Sequence, residues 1–261
     1  MDLGLKGKLI VVTGGGAGIG QGISRACLAE GARVAVLGRH SQNVEDFMVE
    51  MKGAGAECDL VEAHLEDAAR CKSAIAEIEQ KFGNIFGLVN NAGVNDGVGL
   101  ASGSVERFLE SLQKNLVHYY ALAHYALGSL KRTKGSIVNI SSKVAMTGQG
   151  NTSGYAASKG AQLALTREWA AELLPDGVRV NAVLPAEVMT PLYERWLKTL
   201  GDPEAKLKEI TDHIPLGHRM TTQAEIAAAT VFLLSPTQSG HTTGQHLIVD
   251  GGYVHLDRAL T

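Results

Sequence analysis

Tyr155 and Lys159 stand four positions apart in the stretch SGYAASKGA, among glycine, alanine and serine. On a helix, positions i and i+4 share a face, roughly 5–6 Å apart at Cβ. A free phenol ionises near pH 10, too high for a base at neutral pH. A neighbouring ammonium favours the phenolate, which lets the phenol take a proton from an alcohol or return it to a carbonyl. Ser142 comes thirteen residues before the tyrosine and offers a hydroxyl to hold the reacting oxygen. Alone, a tyrosine on a helix is packing and a lysine at i+4 is a solvated stem. The small residues between them suggest a face against which a flat ligand could lie.

A second constellation precedes these. TGGGAGIG (13–20) joins an apolar run to a helical pattern. Its spacing is Gly14-x-x-x-Gly18-x-Gly20, with Gly16, Ala17 and Ile19 between. Glycines there allow a tight turn and bring backbone N–H groups of the following helix close to a pyrophosphate. At the first strand–helix junction, this points to a dinucleotide. NAD binders usually carry a carboxylate at the end of the second strand, for the ribose 2′-hydroxyl. Here that end reads Leu37-Gly38-Arg39-His40. Arg39 offers a planar fork for a phosphate, which favours NADP while leaving NAD open.

Those residues need a frame. KLIVVTG, RVAVLG, AECDLVEAHL, IFGLVNNAG, GSIVNISS, GVRVNAVLP and QHLIVDGG read as strands. Helical patterns lie between them, the second opening on Ser41 as a cap and one running unbroken over about 104–131. Continuous apolar strands alternating with helices predict an α/β fold: one doubly wound, Rossmann-type parallel sheet of seven strands with helices on both faces, spanning 1–261. The segment 186–221 interrupts the rhythm and reads as a small helical substrate lid.

Composition limits the alternatives. The 261 residues are 45% hydrophobic and 20% charged, with net charge -3 and no basic block, which disfavours a nucleic-acid surface. Cys27, Cys58 and Cys71 form no C-x-x-C, and the histidines show no metal spacing, so neither a disulfide framework nor a metal is expected. No run of 18 apolar residues predicts a membrane span. These features read as a soluble, cytoplasmic protein.

Taken together, the motifs resemble the short-chain dehydrogenase/reductase family over essentially the whole chain. TGGGAGIG matches the family's T-G-x-x-x-G-x-G, Asn90-Asn91-Ala92-Gly93 its N-N-A-G, and Ser142 with Tyr155-x-x-x-Lys159 its catalytic set. Asn115 falls at the family's fourth catalytic position. The resemblance implies Tyr155 as acid/base, Ser142 as the group polarising the substrate oxygen, and Lys159 as the group that lowers the tyrosine pKa and bonds the nicotinamide ribose. Asn115 would hold a water that links Lys159 to solvent. Asn91, Ala92 and Gly93 would line the cofactor, and Val188 and Thr190 would hold the nicotinamide amide. Two positions depart from the pattern. Pro185-Ala186 stands where the family has proline-glycine, and His64 replaces the aspartate that commonly meets adenine, leaving Leu65 to offer its backbone. The family also implies a homotetramer.

Substrate-side positions are polar: Asn95, Lys143, Gln149 and Glu187, besides Ser142 and Tyr155. Unpaired polar groups oppose an apolar ligand and suit a polyol or sugar. Resemblance to the sugar-oxidising members of the family implies an L-fucose-like pyranose, oxidised at its anomeric hydroxyl to the lactone. Tyr193 and Trp196 could face a sugar ring or staple the lid to the body. Two other readings stay open: reduction of a 3-oxoacyl or steroid ketone by the same set, and a non-catalytic dinucleotide-binding sensor.

Overall fold

The structure, a computed structural model, describes residues 1–256. The end of the tail, residues 257–261, lies outside the described part. Seven strands form one parallel sheet in the order β3-β2-β1-β4-β5-β6-β7. They are β1 (Leu9–Thr13), β2 (Arg33–Gly38), β3 (Cys58–Glu62), β4 (Ile85–Asn90), β5 (Ser136–Ile140), β6 (Arg179–Pro185) and β7 (His246–Val249). The fold is the expected Rossmann-type sheet. β3 is shorter than its apolar run: pairing with β2 ends at Glu62, opposite the last residue of that strand.

β1 shows why the sheet must be covered on both sides. Leu9 and Val11 enter one buried cluster with Leu88, Leu122 and Ile137. Ile10 and Val12 enter the other with Ile23, Val138 and Ile226. Successive side chains of a strand point to opposite faces, so an unbroken apolar run needs two cores. The helices supply them. α1 (Gly18–Ala29) packs on α9 (Gln223–Leu234) over one face. α3 (Ala68–Phe82) and α5 (His118–Thr133) pack together over the other, as do α4 (Val105–Leu112) and α6 (Ser153–Glu172).

Caps set several of these helices. The Asp67 carboxylate accepts from Ala69 and Arg70 N–H at the start of α3, at 2.8 and 3.2 Å. Thr222 and Glu225 form a capping box on α9. Ser41 does occupy the N-cap of α2 (Gln42–Gly53), but its side chain makes no capping bond.

The helix expected over 104–131 is interrupted. Between α4 and α5 the chain forms a π-turn over Gln113–Val117. Such turns insert an extra residue into the helical ladder and often occur at functional sites. Two short helices, α7 (Pro191–Leu197) and α8 (Pro203–Asp212), fill the segment after β6. The strand order reverses at β1, which lies between β2 and β4. In open α/β sheets, ligands bind beyond the strand ends at such a point.

Candidate active site

A cleft of about 680 Å³ opens there. Gly14, Gly16, Ala17, Gly18 and Ile19 form one wall, and Arg39, His40 and Leu65 one end. Asn91, Ala92, Gly93, Ser142, Tyr155, Lys159, Val188 and Thr190 form the rest. Residues from six strand ends, distant in sequence, are thus brought together.

Thr13 fixes the two loops at the base. Its hydroxyl accepts from Asn91 and Ala92 N–H at 2.8 and 2.9 Å, and its carbonyl accepts from Asn91 Nδ2 at 2.8 Å. Gly14 turns with φ +63° and Gly18 with φ +54°, the left-handed region that favours glycine. Gly20 does not line the cleft. A Cβ there would lie 2.3 Å from the Gly14 carbonyl oxygen, so Gly20 serves the closure of the turn. The N-cap of α1 is Ala17, which gives no side-chain bond, and the first turn carries no acidic residue. Its backbone N–H donors are therefore left for an anion. Bare glycine backbone, an uncapped helix start and an elongated cleft fit a nicotinamide dinucleotide, whose bound oxidised form supplies a hydride acceptor.

Ser142 lies two residues beyond β5 and caps a tight 3₁₀ turn over Lys143–Ala145, where its hydroxyl accepts from Val144 N–H at 3.4 Å. Tyr155 and Lys159 occupy the first turns of α6. Ser141 Oγ donates to the Lys159 carbonyl at 2.9 Å and ties that helix to β5. One of the small residues around the pair serves the packing of the helix itself. A Cβ on Gly154 would lie 2.6 Å from Ser111, so glycine lets α6 approach α4. Tyr155 and Lys159 are the residues of α6 that line the cleft.

Known dehydrogenases and reductases resemble this chain in sequence and fold. A family model described as Enoyl-(Acyl carrier protein) reductase matches residues 14–254. L-fucose dehydrogenase of Bos taurus is 37% identical over 247 residues, covering 94% of this chain and 89% of its own. The crystal structure of Cj0485 dehydrogenase superposes with TM-score 0.94 at 44% identity, covering 100% of this chain and 99% of that one. Ligand-free aldohexose dehydrogenase of Thermoplasma acidophilum superposes with TM-score 0.88 at 31% identity, covering 98% of each chain. The chain belongs to the short-chain dehydrogenase/reductase family. It is an NAD(P)-dependent oxidoreductase acting on CH–OH groups.

In this dehydrogenase the charges differ from the sequence expectation. Lys159 is 3% exposed, and its ammonium donates to the Ile140 carbonyl at 2.8 Å, with the Tyr119 hydroxyl at 3.5 Å. It lies 5.4 Å from the centroid of the Tyr155 ring. Burial pushes the Tyr155 phenol up to about 12, against an opposing hydrogen bond from Ser142, and the Glu187 charge raises it further. Burial also brings Lys159 down to about 7. In the chain alone, Lys159 does not hold the phenol near neutrality.

That burial makes Lys159 a pH-dependent element of stability. Between about 7 and its ordinary value of 10.5, the unfolded chain carries a proton that the folded chain does not. Folding stability therefore rises with pH across that window, with a limiting slope of about 1.4 kcal/mol per pH unit. Above the ordinary phenol value of 10, Tyr155 acts in the opposite sense, since its folded form keeps the proton up to about 12. Urea unfolding from pH 7 to about 8.5 should show the rise, below the range in which the raised thiols of Cys27, Cys58 and Cys71 oppose it, and Lys159→Met should flatten it. An equal slope in the variant would refute this account.

Asn115 sits in the π-turn. Its Oδ1 accepts from Val94 N–H at 2.7 Å and its Nδ2 donates to the Ser111 carbonyl at 3.0 Å. It thereby anchors the loop after Asn91-Ala92-Gly93. Its main-chain carbonyl accepts from the buried Gln162 Nε2 at 2.7 Å. Gln162, Tyr119 and His118 were not among the expected site residues. His118 Nε2 lies 3.2 Å from the Ala92 carbonyl, and burial lowers that imidazole to about 4, so it is neutral at physiological pH. One signal was available: Ser111, Asn115 and His118 are polar at helical spacing on a face that should be apolar.

The expected substrate residues separate into two groups. Asn95 and Gln149 are exposed on loops, and the Asn95 carboxamide accepts from Gly97 N–H at 3.3 Å. Lys143 and Glu187 meet as an ion pair beside Ser142. Among the described residues no group of three or more His, Cys, Asp or Glu side chains could hold a metal ion. Nor is any helix among them long and apolar enough to cross a membrane.

Proposed function

We propose that this enzyme oxidises the anomeric hydroxyl of an L-fucose-like pyranose to the lactone, with NADP as the preferred acceptor. The observation that carries this reading is the charged pair Lys143–Glu187 next to Ser142, where an acyl chain or steroid would require apolar lining. The names of the relatives, an L-fucose dehydrogenase and an aldohexose dehydrogenase, support it.

The chain's own groups divide the work. Ser142 holds the C1 oxygen. Tyr155, as phenolate, takes the proton of that hydroxyl as the C1–H bond gives up its electron pair as hydride and C1=O forms. Lys159 stabilises the phenolate, and Asn115 keeps the Gly93–Val94 loop in place. The segment 186–221 acts as a lid over the reacting centre. Holding hydroxyl and acceptor together removes much of the entropic barrier.

Cofactor choice rests on Arg39. It is exposed at the cleft end just past β2, and the strand ends in Gly38 without a carboxylate. A panel of aldoses, alcohols and β-ketoacyl thioesters, assayed with each dinucleotide by absorbance of the reduced nicotinamide, tests both parts. Aldoses should be oxidised with NADP⁺, and Arg39→Ala should raise KM for NADP⁺ by about 10-fold or more while leaving that for NAD⁺ alone. Turnover of thioesters but not aldoses would favour the ketone reductase. Binding of NADPH with no turnover at all would favour the sensor.

A further inference from the structure

Beside the reacting centre lies a cluster that draws on four parts of the chain. Lys143 directly follows Ser142, and Glu187 lies two residues beyond the end of β6. Their side chains are only 10% and 12% exposed, and Lys143 Nζ donates to Glu187 Oε1. The other carboxylate oxygen accepts from the hydroxyl of Tyr193, on α7, at 2.8 Å. The same ammonium lies 4.1 Å from the centroid of the Tyr253 ring, in the turn after β7. Tyr193 in turn packs edge-on against Trp196, with ring centroids 5.1 Å apart.

Burying two opposite charges is a poor way to stabilise a fold. Desolvation can outweigh their attraction, and apolar residues of similar volume often do as well or better. The pair is also adjacent to the chemistry, because the Glu187 charge acts on the Tyr155 phenol. An anion and a cation side by side match one ligand group in particular. A hydroxyl donates its proton to a carboxylate and accepts from an ammonium through its lone pairs. Lys143 and Glu187 do not themselves line the cleft, but Ser142, Ala186 and Tyr193, their neighbours in sequence or contact, do, so the pair flanks the place where a hydroxyl next to the reacting oxygen would lie.

We propose that the Lys143–Glu187 pair is the specificity-determining unit that reads the hydroxyl on the carbon next to the reacting one, and that Tyr193 of the lid is the positioning residue that holds Glu187. The substrate class is then a vicinal hydroxyl compound rather than any alcohol of suitable size. This rests on the sugar reading above. It also explains why α7 lies where it does, since Tyr193 links the lid to the carboxylate that contacts substrate. Trp196 belongs to the lid's own packing against Tyr193.

The test compares L-fucose with its C2-deoxy analogue in the wild type, Glu187→Gln and Tyr193→Phe. A site built to bond a hydroxyl rejects the analogue without it, here by about 10²-fold or more in kcat/KM. In Glu187→Gln that ratio should fall below about 10, whatever common change the lost charge makes to turnover of both substrates through Tyr155. In Tyr193→Phe, KM for L-fucose should rise about 3–10-fold with kcat unchanged, and the analogue's kinetics should stay as in the wild type. Thermal melts identify folded variants; should Glu187→Gln unfold, the ratio in Tyr193→Phe decides. If L-fucose is oxidised but the ratio stays at its wild-type value in the variants, the inference is overturned and the sugar reading stands. If the wild type oxidises no aldose, the sugar reading falls and the inference falls with it.

Discussion

Tyr155→Phe is expected to lower kcat by about 10³-fold, within the range that a positioned acid/base contributes, with dinucleotide affinity unchanged. The ring remains in the cleft wall, so the surface that meets the ligand is preserved, and only the proton acceptor is lost. The neighbouring groups are poorly placed to replace it. The Lys159 ammonium is already directed at the Ile140 carbonyl. Because burial raises the phenol to about 12, oxidation by the wild type should accelerate as pH rises through the alkaline range, and reduction should slow. Steady-state kinetics and fluorescence titration with the reduced dinucleotide check both halves. Residual turnover above about a tenth of wild type would remove Tyr155 from its assigned role.

The features that were legible in the sequence are local ones. β1, β2 and β4 are apolar runs bounded by glycine or asparagine, and the order of strands and helices leaves little choice but a parallel sheet. TGGGAGIG and Tyr155-x-x-x-Lys159 are fixed spacings on single elements, and they fall where the sheet order places them, in the lining of one cleft. What escaped depends on contacts between distant segments. The π-turn at Gln113–Val117 contains no proline or glycine to mark it. It forms because Asn115 is bonded at once to Val94, Ser111 and Gln162. The polarity of Lys143 and Glu187 was visible, but their pairing spans 44 residues. The influence of Lys159 on Tyr155 was read from spacing alone. Spacing gives proximity, while burial and the competing Ile140 carbonyl decide where the charge acts. Gly154 carries the same lesson, since it is explained by Ser111 across a helix contact.

Gly20→Ala should be the most damaging single-methyl change in the glycine turn. The added Cβ would lie 2.3 Å from the Gly14 oxygen and 2.6 Å from Asn91 Nδ2. Neither neighbour can yield easily. Gly14 N–H is bonded to the Leu37 carbonyl at 2.8 Å, and Asn91 Nδ2 to the Thr13 carbonyl at 2.8 Å. Relief therefore requires the turn to lift from β1 and β2, which displaces the α1 N-terminus that faces the cleft. Overpacking of this kind costs about 1–3 kcal/mol, and a chain of this size loses about 2–4 °C per kcal/mol. The expected result is a melting temperature lower by about 5 °C and dinucleotide affinity weaker by about 10²-fold, since the backbone donors no longer converge on the pyrophosphate. Gly53→Ala is the matched control. It lies at the end of α2 with nothing within 4 Å of an added Cβ, so the same methyl should leave affinity unchanged and stability equal or slightly higher. If Gly20→Ala behaved like Gly53→Ala, the turn would not be held by the contacts described, and the fit of a dinucleotide to this cleft would lose its main structural support.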